Sequence, residues 1–213
     1  MIVWSAGFAA AAVLLWLGQG IWRIGRVSRG APIPARAGTA LLMIDLQTVF
    51  WDDGPYDADL KARVEATVRG CVAEARAAGF PVIALRQEWS LPATRVIARL
   101  FMKGQALAGS QGTGLAAPFR DLADQELVKR VQDGFETGAL DALLSQLDVG
   151  WVRIMGLDGE YCVARTAEAA LRRGFAVELC VDAIATARQA KQAEVVERLT
   201  RLGATLRRAP SRD

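Results

Sequence analysis

The stretch that decides the fold runs from Gly156 to Phe175 and reads GLDGEYCVARTAEAALRRGF. A short apolar run over residues 151–155 precedes it, and from Glu160 onward apolar residues recur at steps of three and four, as in a helix. The predicted order is strand, turn, Cys162, helix. A thiol at a helix N-terminus faces unpaired N–H groups and the positive end of the helix dipole. We therefore expect Cys162 to favour the thiolate form and to act as a nucleophile.

The same alternation of apolar strand and amphipathic helix continues through most of the chain. It predicts strands over residues 40–44, 81–85, 126–128, 152–155, 176–179 and 205–206, and helices over 60–78, 137–146, 160–173 and 187–202. Residues 86–120 are predicted to form a loop-rich segment. Strands that alternate with helices indicate an α/β domain with a parallel sheet covered on both faces.

Residue composition excludes several classes of site. The chain has 26 Lys and Arg against 23 Asp and Glu, and the arginines are scattered, so nucleic-acid binding is not expected. It contains no histidine, which excludes a Ser-His-Asp or Cys-His triad and any imidazole-based metal site. Cys71, Cys162 and Cys180 have no zinc-ribbon or disulfide spacing, so a reducing compartment is the natural inference.

The N-terminal residues differ from the rest of the chain. Residues 1–22 carry no charged side chain and are long enough to cross a bilayer as a helix. Arg23, Arg26, Arg29 and Arg36 follow at once, which by the positive-inside rule places the domain on the cytoplasmic side of a single-pass membrane protein. A cleaved signal peptide and a buried helix of a soluble protein are the alternatives.

The predicted organisation follows from these segments. Residues 1–22 form a transmembrane anchor, 23–38 a basic linker lying near anionic headgroups, 39–207 the folded domain and 208–213 a tail.

Three chemistry-bearing residues fall at or just past the carboxyl ends of predicted strands, where parallel sheets bind ligands. Asp45 follows the first strand, Lys129 the third and Cys162 the fourth. Asp45 can take the thiol proton, Lys129 can stabilise the thiolate, and Cys162 can attack an electrophilic carbon. Backbone N–H groups near Gly159 and Cys162 can hold an oxyanion. No metal or organic cofactor is required for this chemistry. The alternative, non-catalytic interpretations are that Asp45 caps the segment after its strand, that Lys129 is a surface lysine and that Cys162 is a small buried side chain.

From Thr39 to about Arg207 the chain resembles the isochorismatase-like cysteine hydrolases, which include nicotinamidases, carbamoyl-amide hydrolases and isochorismatases. The resemblance rests on residues 40–47 (ALLMIDLQ) with Phe50, on 79–83 (GFPVI), on Val128-Lys129 with Phe135 and Leu140, on 156–163 with Thr166, Ala167 and Ala170, and on 174–177 with Asp182-Ala183.

The resemblance implies a three-layer αβα sandwich of Rossmann-like type with a parallel sheet. It also gives Asp45, Lys129 and Cys162 the roles of general base, supporting lysine and nucleophile, and a cis peptide between Asp158 and Gly159. Homo-oligomers occur in the family and enter only by analogy.

The chain departs from the family pattern at two turns, Asp133-Gly134 and Asp158-Gly159. The added carboxylates could recognise a cationic substrate or could raise the pKa of the thiol. The family's metal-binding nicotinamidases use aspartate with histidines, which this chain lacks, so deamidation by that metal-assisted route is not expected.

Contacts to a small-molecule substrate are predicted near these positions and in residues 86–120. The candidates are Gln47, Phe50, Trp51, Glu88, Trp89, Phe135, Asp158 and Tyr161, with Tyr56 as a further aromatic. Three functions are open at this point. They are a membrane-anchored amidase acting on a C–N bond through Cys162, an isochorismatase-type hydrolase of a vinyl ether, and a non-catalytic membrane-tethered binding module.

Overall fold

The structure is a computed structural model that describes residues 2–208, with side chains from residue 11 onward. The helices are α1 (Ile2–Gly25), α2 (Thr48–Trp51), α3 (Ala58–Ala77), α4 (Pro92–Phe101), α5 (Ala139–Gln146), α6 (Ala164–Arg172) and α7 (Gln189–Arg201). The strands are β1 (Gly38–Ile44), β2 (Val82–Gln87), β3 (Gln125–Lys129), β4 (Val149–Gly156), β5 (Ala176–Ile184) and β6 (Thr205–Arg207).

The strands form one six-stranded sheet in the order β3-β2-β1-β4-β5-β6, and all neighbouring pairs are parallel. Alternate residues of β1 face opposite sides. Leu41 and Met43 pack with α3, whereas Leu42 and Ile44 pack with α5, α6 and α7. Two hydrophobic cores therefore flank the sheet, and the predicted parallel sheet with flanking helices is confirmed.

Gly156, the last residue of β4, fixes how closely β1 and β4 approach at their carboxyl ends. Its φ is +118°, and a Cβ built there would lie 2.1 Å from the carbonyl oxygen of Ile44. Only glycine fits this position without a backbone shift.

We expect Gly156→Ala to lower the free energy of unfolding by more than about 2 kcal/mol, because it adds both a clash and an unfavourable φ. Gly70→Ala is the control, since Gly70 lies in α3 with nothing within 4 Å of its Cβ position. That variant should be unchanged or more stable by up to about 1 kcal/mol. Urea unfolding measures both changes, and equal stabilities would contradict the prediction.

Helix α4 occupies a segment for which the sequence predicted loop. Pro92 is compatible with a helix start because the first helical N–H has no partner in the helix. Thr94, Ile97 and Ala98 are buried on one side of α4, so the helix forms by packing.

Over its residues with described side chains, the N-terminal helix α1 lacks the features predicted for a membrane span. Among the residues that the structure describes, no helix is long and apolar enough to cross a membrane. The predicted span at residues 1–22 therefore has no structural support, and part of it lies where side chains are not described. Helix α1 does form, and near its C-terminal end Gly20 lies against α4 while Ile24 is buried beside Trp89 and Ile97.

Within the predicted basic linker, 23–38, residues 28 and 33 are hydrogen-bonded to the folded domain. The Ile33 N–H donates to the Arg173 carbonyl at 2.8 Å, and the Arg173 guanidinium binds both Ser28 and Asp141. Asp133 accepts from the Ser28 N–H at 2.6 Å. Arg208 follows β6 without regular structure, and the remainder of the predicted tail, 209–213, lies outside the described residues.

Candidate active site

The candidate site lies at the carboxyl edge of the sheet, where the strand order reverses between β1 and β4. Asp45 directly follows β1 and has a positive φ of 51°, which is uncommon for a residue other than glycine. Cys162 lies in a wide turn of helix, Gly159–Val163, between β4 and α6. Lys129 ends β3, two strands away from β1. The structure thus brings the three predicted catalytic side chains to one edge.

Asp45 and Lys129 form a buried ion pair. The Lys129 Nζ lies 2.9 Å from Asp45 Oδ2, and their side chains are 1% and 3% exposed. The lysine also donates to Gln87 Oε1 at 2.7 Å and to the Val131 carbonyl at 3.3 Å, so all three of its protons have acceptors. Asp45 Oδ1 is buried and has no hydrogen-bond partner of standard geometry among the described residues. That oxygen is therefore free to accept a proton.

Gln87 and Gln47 hold this pair in place from β2 and from the turn after β1. The Gln47 amide accepts from the Gln87 N–H at 2.5 Å and donates to the Gln87 and Thr113 carbonyls. Gln47, a predicted substrate contact, is completely buried, links the turn after β1 to β2 and does not line the cavity described below. Gln87, which orients Lys129, is a positioning residue.

The pKa of the Cys162 thiol is raised, which corrects the expectation of a thiolate. Removal from water is the largest cause, and the neighbouring Asp45 carboxylate adds to it, while Lys129 only partly offsets both. Burial and a nearby negative charge therefore favour the thiol over the thiolate. In the resting protein Cys162 is protonated, and a base must take its proton before or during attack.

Asp45 has the properties of that base. Burial raises its pKa, and Lys129 and the Cys162 thiol limit the increase. For Lys129, burial lowers the pKa, but the interactions with the Asp45 carboxylate and with Cys162 outweigh it and the net direction is upward. The lysine therefore stays charged, and the aspartate gains basicity relative to an exposed carboxylate.

The turn before Cys162 is built on the Asp158 carboxylate. Asp158 accepts from the Glu160 N–H at 2.8 Å, from the Ala187 N–H at 2.6 Å and from the Tyr56 hydroxyl at 3.2 Å. Among residues 2–208 there is no cis peptide, so the cis bond expected between Asp158 and Gly159 is absent. The Gly159 N–H donates to the Ala185 carbonyl at 2.9 Å.

This hydrogen bond leaves the Gly159 N–H unable to serve in the predicted oxyanion hole. The N–H groups of Gly159 and Glu160 are already paired, with the Ala185 carbonyl and the Asp158 carboxylate. Of the two predicted backbone donors, only the Cys162 N–H remains a candidate.

A cavity of about 420 Å³ opens beside Cys162 and Asp45. Four of the predicted substrate-binding residues line it, namely Phe50, Trp89, Asp158 and Tyr161, and Tyr56 lines it as well. The turn has not collapsed onto the thiol. A larger cleft of about 650 Å³, lined by Cys71 and Cys180, contains none of the catalytic groups.

Four predicted substrate contacts do not line the cavity. Gln47 is the buried residue already described. Trp51 is 4% exposed and packs edge-on against Phe119. Glu88 pairs with Arg86 on the other side of its strand, and Phe135 is buried against Phe175. For Trp51 and Glu88 the sequence neighbours Phe50 and Trp89 line the cavity instead, because neighbouring residues of a strand or turn face different sides.

Sequence reasoning missed several lining residues, including Asp53, Met102, Gln105 and Gln132. Asp53 lies eight positions after Asp45, in a turn where apolar residues show no helical or strand periodicity, so the direction of its side chain could not be predicted. Met102 caps the C-terminal end of α4, a helix that was not predicted, and Gln105 lies in the turn that follows it.

The site does not fit the metal of nicotinamidase-type relatives. The sequence has no histidine, and over residues 2–208 no group of three or more Cys, Asp or Glu is arranged to hold an ion. We derive no catalytic step through a metal.

Comparison with known proteins identifies the family. The model of the isochorismatase domain matches residues 39–211. The chain belongs to the isochorismatase family. The predicted resemblance is therefore confirmed, and this family member carries Asp45, Lys129 and Cys162 in a single site.

Relatives of this isochorismatase-family chain include two proteins named streptothricin hydrolase, both from Streptomyces noursei. The first is 33% identical over 148 residues, which is 69% of this chain and 49% of that protein. The second is 33% identical over 151 residues, 69% of this chain and 54% of the relative. The chain thus spans about half the length of these curated relatives.

Solved structures share the fold. The pyrazinamidase/nicotinamidase of Streptococcus mutans UA159 superposes with a TM-score of 0.69 at 22% identity, covering 80% of this chain and all of that one. The N-carbamoylsarcosine amidase of Thermoplasma acidophilum gives a TM-score of 0.68 at 24% identity, covering 81% and 96%. At these identities the likeness establishes the architecture alone.

Proposed function

We propose that this chain is a cysteine hydrolase that cleaves an amide-type C–N bond of a small molecule. The observation that carries the proposal is that Asp45, which is paired with the buried Lys129, lies beside Cys162 and that both Asp45 and Cys162 line an open cavity. Family membership and the two relatives named streptothricin hydrolase support a hydrolase.

The steps follow from the protonation states. Cys162 Sγ attacks the amide carbonyl carbon while its proton passes to Asp45, and Lys129 holds the carboxylate in place. The Cys162 N–H is the candidate donor to the oxyanion. The C–N bond then breaks, Asp45 returns the proton to the leaving amine, and an acyl-thioester remains. Water, activated by Asp45, releases the acid and restores the thiol.

The charge of the cavity indicates which amides are accepted. The carboxylates of Asp53 and Asp158 line it together with that of Asp45, which is paired with Lys129, whereas among its described lining residues there is no Lys or Arg. An anionic substrate would lack a counter-charge there. Neutral or cationic amides fit better, and so the dicarboxylate isochorismate, the substrate of the vinyl-ether alternative, is disfavoured.

A screen tests the reaction class. Purified chain is incubated with small neutral, cationic and anionic amides, and released ammonia or amine is measured. We expect turnover confined to neutral and cationic members. Pyruvate release from isochorismate without amide turnover would contradict the proposal and favour the vinyl-ether reaction. No turnover of any member would favour the binding module.

We further propose that residues 1–22 hold the protein at a membrane, with the hydrolase domain on the cytoplasmic side. The support is the uncharged N-terminal sequence followed by Arg23, Arg26 and Arg29. Photolabelling of residues 1–22 from the lipid phase, in full-length chain reconstituted in vesicles, tests this placement. Absence of label there would contradict it.

A further inference from the structure

Helices α1 and α4 expose large apolar side chains that the fold does not cover. On α1, residues 13–16 and 21–22 are 40–75% exposed. On α4, Leu100 is 64% and Phe101 is 73% exposed. We call these residues together the α1–α4 face. Soluble monomers rarely expose so much contiguous apolar surface, so the face needs a partner.

The two helices present one continuous face because they are in close contact. A Cβ built on Gly20 would lie 2.8 Å from both Ala93 Cβ and Ile97 Cδ1, so the backbones approach as closely as glycine allows. Phe101 lies one turn beyond Ile97 on the same stripe of α4. The exposed end of α4 therefore continues the surface along which α1 packs.

The chain segments that form this face carry charges of one sign. Residues 1–44 and 89–120, which contain both helices and the segments after them, include no Asp or Glu. Their exposed charged residues include Arg23, Arg26, Arg99 and Lys103. The Arg26 guanidinium lies over the Trp22 ring, 4.8 Å from its centroid. Apolar side chains bordered by arginine, lysine and tryptophan, without acids, complement an anionic lipid surface.

The face adjoins the catalytic cavity. Trp89 and Met102 line the cavity and belong to the same hydrophobic cluster as Ile24 of α1. Gln132, another lining residue, donates its backbone N–H to the Ile24 carbonyl at 3.1 Å. A surface bound to α1 and α4 therefore lies beside the cavity wall.

From this geometry we infer that α4 is a second membrane-contacting element, which inserts Leu100 and Phe101 among anionic lipid headgroups beside α1. This contact holds the catalytic cavity next to the bilayer surface. The inference rests on the proposed membrane placement of residues 1–22 and extends it to the folded domain.

The experiment uses full-length chain reconstituted in vesicles of phosphatidylcholine with phosphatidylglycerol, and in vesicles of phosphatidylcholine alone. A carbene precursor that partitions into lipid is photolysed, and labelled peptides are mapped by mass spectrometry. We expect label on the peptide containing Leu100 and Phe101, reduced roughly fivefold or more when the anionic lipid is omitted. Trp151 is the internal control, because it is 52% exposed but lies near the amino-terminal end of β4, away from the cavity.

A matched pair of variants separates insertion from folding. The double variant Leu100→Ser/Phe101→Ser should lose label in α4 while keeping amide turnover in detergent, because neither side chain lines the cavity. Leu202→Ser, at a site 50% exposed at the end of α7, should leave the labelling of α4 unchanged.

Any one of the following four outcomes overturns the inference about α4. Label in residues 1–22 without label in α4 leaves the anchor in place and removes the role of α4. Equal label on Trp151 and Phe101 indicates non-specific association. If the chain self-associates without lipid and the α4 peptide is protected from labelling in that assembly, the face is assigned to a second copy of the chain. No label in either region removes both membrane proposals and leaves the hydrolase proposal untouched.

Discussion

Replacing Cys162 with alanine is expected to abolish amide turnover, lowering kcat by at least roughly a thousandfold. The reason is that no other nucleophilic side chain lies beside Asp45 in the described cavity, and a general base acting on water alone recovers little of the rate. The measurement is steady-state amine release from the best amide of the screen. Mass spectrometry of acid-quenched wild type should show an acyl adduct on Cys162 that the variant lacks.

Cys71→Ala is the control for this change, because Cys71 lies on α3 in the separate cleft. It should retain turnover and the adduct. Full amide turnover by Cys162→Ala would remove the covalent mechanism. Pyruvate release from isochorismate that persists in Cys162→Ala would point to the vinyl-ether reaction, which needs no thiol.

The parallel sheet and the catalytic edge could be predicted from sequence because both depend on local patterns. Short apolar runs such as 40–44 and 152–155 predict strands from local sequence alone. The carboxyl ends of parallel strands all lie at the same edge of the sheet. Asp45, Lys129 and Cys162 could therefore be grouped without knowing the strand order.

The remainder of the site depends on tertiary packing, which a sequence does not reveal. Phe50 and Trp51 are adjacent in sequence, but only Phe50 lines the cavity, because the direction of each side chain is set by the turn after β1. The raised pKa of Cys162 likewise follows from burial and the position of Asp45, both properties of the assembled fold. The prediction of residues 1–22 as a transmembrane anchor did not include their contact with α4, for the same reason.

Replacing Lys129 with methionine is expected to lower the free energy of unfolding by about 3–5 kcal/mol, because it leaves a buried carboxylate without its counter-charge. Asp45 is 2% exposed, and Gln87 Oε1 and the Val131 carbonyl would lose a donor as well. Urea unfolding at neutral pH measures the change. The double variant Asp45→Asn/Lys129→Met should recover part of the loss, since it removes the unpaired charge.

The pH dependence gives this prediction a sign that simple loss of packing would not produce. Without Lys129, the pKa of Asp45 in the folded state rises further above its unfolded value, so the folded protein binds the proton more tightly than the unfolded chain. The penalty of Lys129→Met is therefore largest at neutral pH and shrinks as the pH falls through that raised pKa. Arg130→Met is the control, because Arg130 is 39% exposed in its pair with Glu136 and should cost about 1 kcal/mol or less. A Lys129→Met cost no larger than that of Arg130→Met, or one independent of pH, would show that the buried ion pair does not fix the charge of the catalytic base.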